Sequence, residues 1–218
     1  MQRTILLVVV FILLLAVQAV AYDDHDFQVW NTDVEEFKVN DKTKIALEQE
    51  FRWGDNANEL YYQHYDAGLS YSLNKYLNIG GGYRQIYELK SGTFRPEEAP
   101  YLTATLFGDW KGFKFDDRSR IEYRHFSYQT DSERYRNKFT VKFPWKFSKI
   151  EIQPYVSDEI FIVFGVISQF SENRFNSGLS FNLTKNIKAE LYYMLLSSKS
   201  AGTWKDYNVL GTKVKVAF

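Results

Sequence analysis

The chain contains no cysteine, which excludes disulfides, thiolate metal sites, a cysteine nucleophile and a lipid-modified N-terminal cysteine. Histidine is scarce, with three in 218 residues, and no His/Asp/Glu group has metal-ligand spacing, so neither a metal nor another cofactor is expected. Proline is scarce too, and the four that occur leave long stretches of pattern uninterrupted. Net charge of either sign is missing: 27 Lys plus Arg balance 27 Asp plus Glu, and nothing calls for a nucleic-acid partner. The slightly polar mean hydropathy argues against a bundle of membrane helices.

What the chain has in excess is aromatic. Tyr and Phe number 16 and 18, residues that favour strands and membrane interfaces. The N-terminus reads as an export signal over residues 1–21: Arg3, an apolar run over 5–17, then Ala19, Val20 and Ala21 as a small-x-small cleavage site. The mature chain would begin at Tyr22. A single-pass anchor helix is the other reading, but the run is short and acidic residues follow it.

The rest is organised on a period of two. In residues 113–128 the even positions Arg118, Arg120, Glu122 and Arg124 are charged, with Ser119, Ile121, Tyr123 and His125 between them. Side chains of a β-strand alternate between faces, so one face carries a column of full charges. In residues 43–53, Ile45, Leu47, Phe51 and Trp53 oppose Lys44, Glu48, Glu50 and Arg52. The same alternation marks strands over 60–73, 77–90, 100–110, 133–143, 149–162, 170–183, 187–197 and 206–218. Residues 91–99 are polar with prolines nearby and read as a loop. Gly68-Leu-Ser-Tyr-Ser-Leu-Asn-Lys75 echoes Gly178-Leu-Ser-Phe-Asn-Leu-Thr-Lys185, each ending in a tight turn, as in a meander of hairpins.

Ten strands from residue 43 onward, each long enough to cross a bilayer when tilted, predict an antiparallel up-and-down transmembrane β-barrel of 10–12 strands. Residues 43–218 form the barrel. Residues 22–42 are an N-terminal segment or a first strand, and an eleventh strand would have to begin on the outer side. Short periplasmic turns and longer outer loops are expected. Charges belong in the lumen, because charge on a lipid face is costly; Asp109 and Asp117 lie near a turn and Asp158 is the exception. The expected lumen ladder is Glu48, Glu50, Arg52, Arg84, Glu88, Arg118, Arg120, Glu122, Arg124, Arg134, Arg136, Glu151, Glu159, Glu172, Arg174 and Glu190. Trp53, Tyr61, Tyr71, Tyr101 and Trp110 resemble an interfacial girdle. Val214, Val216 and Phe218 resemble the signal read by the barrel assembly machinery, which would be a partner alongside outer-membrane lipid. The localisation expected is the outer membrane of a Gram-negative bacterium, with a monomer favoured.

The elements Glu48-Gln-Glu-Phe-Arg52, Gly82-Tyr-Arg84, Arg118-Ser-Arg-Ile-Glu-Tyr-Arg124, Arg134-Tyr-Arg136, Asp158-Glu-Ile-Phe161, Asn173-Arg174 and Gly178-Leu-Ser-Phe181 resemble the domain of unknown function 2490 family. The resemblance implies bacterial outer-membrane barrels and the same fold, over nearly the whole mature chain. It adds no activity.

Three functions stay open. A barrel with a charged, narrow or occluded lumen would have a structural, small-solute or lipid-contacting role. A plug of ion pairs fits this better than a selective pore, with Glu151 and Glu159 as partners for Arg120, Arg124, Arg134 and Arg136. An outer-membrane acyl hydrolase needs a Ser, a His and an orienting group, for which His64 and Ser70 are the inward candidates, while His125 and Ser127 lie near a strand end. A soluble periplasmic lipocalin-like binder would have the two faces reversed.

Overall fold

A computed structural model describes residues 24–165, 169–200 and 202–218; the expected signal, 1–21, lies outside them. Eleven strands form one closed barrel, and the described residues contain no helix. In chain order they are β1 (Phe27–Lys38), β2 (Thr43–Gly54), β3 (Glu59–Ser72), β4 (Leu77–Lys90), β5 (Thr93–Trp110), β6 (Phe113–Phe126), β7 (Ser132–Lys142), β8 (Gln153–Phe164), β9 (Gln169–Asn182), β10 (Ile187–Ser200) and β11 (Thr203–Ala217). Consecutive strands are antiparallel neighbours throughout. In an up-and-down meander the first and eleventh strands point the same way, so closure must be parallel. β1 and β11 indeed pair in parallel, from Phe27 opposite Asn208 to Glu36 opposite Ala217. The segment before residue 43 is therefore a full barrel strand, and the barrel begins at Phe27. Closure leaves no open edge to recruit another chain.

Alternation places the polar set inside. Arg120 and Glu122 are buried, at 7% and 1% exposure, whereas Leu47, Leu69, Leu102 and Ile121 are exposed. A water-soluble barrel around an apolar pocket needs the opposite sign. The outward face is not wholly apolar. Asp33, Asp117 and Asp158 each accept a hydrogen bond from an amide on the next strand, Gln49 at 3.4 Å, Asn137 at 2.6 Å and Asn173 at 2.9 Å.

Five expectations are corrected. Residues 93–99 are strand, because Pro96 and Pro100 have the same parity and their missing N–H groups point to one neighbour. The β4–β5 ladder runs unbroken past both prolines, while the β5–β6 ladder skips from Glu98 to Tyr101. Residues 149–152 are not strand: 143–152 is the longest connection and holds a bridge between Phe147 and Ile152, with Glu151 at φ 48°. It lies at the rim where β11 ends (the C-terminal rim), so the long connections do not gather at the opposite, N-terminal rim, where described connections such as 55–58 and 127–131 are short. Tyr61 is not on the outer girdle, because a register shift after Arg52 turns it inward to donate to Gln28 Oε1 at 2.7 Å. Tyr101 is inward as well, buried against Asp66, which accepts its hydroxyl at 2.7 Å. Trp53, Tyr71 and Trp110 face outward as expected.

Large inward rings need flat ground. The Tyr101 ring lies over Gly82, where an added Cβ would meet its Cζ at 2.6 Å, and Tyr192 covers Gly211 more closely still. Behind the parallel seam, Trp30, Met194, Leu196 and Val209 form the apolar cluster of the interior. A valine at either glycine has no room, and overpacking of this kind costs about 1–3 kcal/mol. Gly82→Val and Gly211→Val are each expected to lower the unfolding midpoint in urea, whereas Gly92→Val, at a turn with open space, lowers it only through its positive φ.

Candidate functional site: a charged lumen divided by an arginine septum

A buried charge requires a partner, and the lumen is assembled on that rule. Glu122 on β6 accepts Arg134 Nε at 2.6 Å and Arg136 Nη1 at 2.9 Å, both from β7. Arg136 also reaches Glu159 on β8, whose Oε1 takes Arg136 Nη2 and Arg118 Nη2, each at 2.8 Å. On the far wall Arg84 donates to Asp66 at 2.8 Å and to Glu48 at 3.2 Å, and Lys213 of β11 donates to the same Glu48 at 3.2 Å. Arg120 joins the two groups, with Nη1 3.9 Å from Asp66 and 3.7 Å from Glu122. Nearer the N-terminal rim, Arg124 grips Glu97 in two hydrogen bonds of 2.6 and 2.8 Å, a fork matched to a carboxylate.

A second device crosses the lumen. The Arg52 guanidinium lies between Trp30 and Tyr62, 3.6 and 3.9 Å from their ring centroids. Arg174 lies between Trp30 and Phe161, at 4.9 and 4.5 Å, and Arg136 covers Phe161 at 4.6 Å. The stack Tyr62–Arg52–Trp30–Arg174–Phe161–Arg136 thus runs from β3 to β7 by way of the parallel seam. Desolvated cation–π contacts contribute about 2 kcal/mol each. Two cavities lie on either side, of about 610 Å³ toward the N-terminal rim and about 290 Å³ toward the C-terminal rim. Arg52, Arg84, Arg136 and Arg174 line both, so these four arginines form the septum between them.

Of the expected ladder, all but Glu151 face the interior. Glu50 pairs with Arg52, Glu172 with Arg174, and Glu190 accepts from Tyr155. Glu88 lines the larger cavity and pairs with Lys90. Glu151 sits at the C-terminal rim, half exposed, where hydrogen bonds from Lys146 and Asn182 hold its carboxyl below the usual range. It is no partner for the arginines of β6 and β7; Glu122 and Glu159 fill that role. Residues outside the expected ladder prove central: Asp66, Glu97, Lys138 and Lys213, with Trp30, Tyr62, Tyr101 and Phe161. Asp66 and Lys138 have inward parity that alternation marks; Glu97 was hidden between two prolines. The stacking aromatics break the rule that the inward face is charged, and no local signal sets them apart.

His64 and Ser70 are not brought together. They lie six residues apart on β3, about 20 Å at ~3.3 Å per residue. The His64 ring is 1% exposed, with Nε2 3.2 Å from Glu48 and Nδ1 3.2 Å from the Tyr62 hydroxyl. It is a structural member of the ion network, not part of a hydrolytic dyad. His125 is outward at the N-terminal rim, 2.9 Å from Asp131. Hydrogen bonds from His125, Tyr123 and the Phe126 N–H hold the Asp131 carboxyl down at about 2, fastening the 127–131 connection. Val214 and Val216 are partly covered on β11, and Phe218 stacks on Phe37 with centroids 5.1 Å apart. No His/Asp/Glu group among the described residues has the geometry of a metal site.

Removing one partner of a buried ion pair leaves the other charge uncompensated, at a cost of about 3–5 kcal/mol. Glu159→Gln strands Arg118 and takes one of the two carboxylates of Arg136, and is expected to destabilise by that amount in urea melts. Glu151→Gln, at the exposed rim, is expected to fall within about 1 kcal/mol of the parent.

No curated protein and no solved structure shows significant similarity to the chain. The family described as "Protein of unknown function (DUF2490)" matches it over residues 27–208, from the first strand into the last. The chain accordingly belongs to the DUF2490 family.

Proposed function

We propose that this protein is a bacterial outer-membrane β-barrel whose lumen is closed by ion pairs, acting as a structural, small-solute or lipid-contacting element of the envelope and not as an open pore. The observation that carries the reading is the sign of the two faces: Leu102, Trp110 and Ile121 are more than half exposed on the outside while Glu122, Glu159 and Arg136 are buried within. Such an exterior suits acyl chains, and strands of 11–18 residues are long enough to cross a bilayer when tilted. Three outward carboxylates that would be costly against lipid, Asp33, Asp117 and Asp158, are each tied to a neighbouring amide. On this reading β11, with Val214, Val216 and Phe218, is the strand offered to the barrel assembly machinery. Eleven strands depart from the even counts of bacterial single-chain barrels; the start of β1 and the end of β11 then face opposite sides of the membrane.

The septum supports a closed lumen, because the same four arginines border both cavities where an open pore would have to run. In planar bilayers the reconstituted protein is expected to show no steady ion current, and Arg136→Ala combined with Arg174→Ala is expected to admit one. Steady conductance by the parent would overturn the closed reading. Location is tested separately, aided by the absence of native cysteine. In intact cells a membrane-impermeant maleimide is expected to label Asn56→Cys, at the N-terminal rim, and to spare Lys75→Cys, at the C-terminal rim. Recovery of the protein in the soluble periplasmic fraction would refute the membrane assignment.

A further inference from the structure

The smaller cavity carries an imbalance that the ion-pair network does not absorb. Eight Lys and Arg side chains line it against five carboxylates. Three of those carboxylates are committed: Glu48 to Arg84 and Lys213, Glu50 to Arg52, and Glu159 to Arg118 and Arg136. The excess gathers on one wall. Arg118 stands directly opposite Lys138 across the β6–β7 ladder, and Lys114 opposite Lys142. Like charges in direct register repel unless something lies between them. Lys138 faces Glu159 on β8, but that carboxylate is taken by the two arginines. Among the described residues neither Lys138 nor Lys142 forms an ion pair or hydrogen bond.

A second observation points the same way. Arg118 Nε and, beside it, Arg120 Nε and Nη1 are buried donors without an acceptor, and the whole Arg120 residue is only 7% exposed. Buried donors are otherwise almost always satisfied. Thr140, between the two lysines on the inward face of β7, adds a hydroxyl to the wall. Unpaired ammonium groups, the Arg118 guanidinium and a hydroxyl on one concave surface are a donor set for a tetrahedral oxyanion.

We infer that the cavity on the C-terminal side of the septum is a binding site for a small soluble phosphate-type anion, held by Lys138, Lys142 and Arg118, with Arg120 supporting Arg118 from behind. A cavity of about 290 Å³ takes a phosphate or pyrophosphate with its water and little more. Every side of the barrel is sealed by a hydrogen-bonded ladder, so a headgroup still attached to its acyl chains has no lateral way in. The site depends on the lumen alone and stands whether or not the barrel spans a bilayer.

The test is calorimetric titration of inorganic pyrophosphate into the full-length protein in a zwitterionic detergent at fixed ionic strength. Saturable binding of one anion per chain is expected. Lys138→Gln and Lys142→Gln are each expected to weaken it about tenfold, the loss of one charge-assisted contact. Asp116→Asn removes a carboxylate from the same wall and is expected to tighten binding several-fold, an opposite sign that misfolding could not produce. Lys75→Gln, on an exterior turn, leaves it unchanged. Urea melts of each variant establish that it is folded. Absence of saturable heat from the parent at millimolar pyrophosphate would mean that water satisfies these donors, and the inference would fall. Equal weakening by Lys75→Gln would reduce it to surface attraction. Competition by micelles doped with phosphatidic acid would overturn the soluble assignment in favour of a headgroup.

Discussion

A charge taken out of water into a protein interior must meet an opposite charge or a set of dipoles, and this requirement shapes the whole lumen. Glu122 and Glu159 are each held by two arginines, and Arg136 joins them into one network. Such pairs roughly recover their own desolvation cost and add little net stability. What they supply is register. A slip of one residue in any strand would turn its guanidinium or carboxylate to the outer face and strand its partner inside. The hydrogen-bonded ladders hold the wall together; the ion pairs dictate which wall it is.

The parallel seam shows the same constraint from the other side. β1 and β11 must meet in parallel because the strand count is odd, and behind that junction the charged network gives way to Trp30, Met194, Leu196 and Val209. Trp30 then serves twice, closing the apolar cluster and carrying Arg52 and Arg174 on its two sides. Cation–π stacking adds a second contact to guanidinium groups that already hold a carboxylate, Arg52 with Glu50 and Arg174 with Glu172.

The septum also makes the two ends of the lumen different. Toward the N-terminal rim the arginines have carboxylate partners at short range, as Arg124 has Glu97 and Arg174 has Glu172. Toward the C-terminal rim, the β6–β7 wall presents cations in register with cations. Among the described residues, pairing is incomplete along the wall that borders the smaller cavity.

Much of this was legible in the chain itself. A period of two over more than ten residues sorts side chains between two faces whatever the fold, so the charged set from Glu48 to Glu190, the strand character and the approximate strand number follow from the order of residues. Local backbone exceptions were harder. Two prolines of equal parity hid the first half of β5 and with it Glu97, a small hairpin displaced Glu151, and a bulge on β3 opposite the Arg52–Trp53 step turned Tyr61 inward. Tertiary structure alone decided which carboxylate serves which arginine, that β1 closes the barrel in parallel, and that Trp30 and Phe161 carry a septum. Alternation depends on neighbours one and two residues away, whereas Lys213 finds Glu48 from 165 positions off only after eleven strands have fixed their register around a ring.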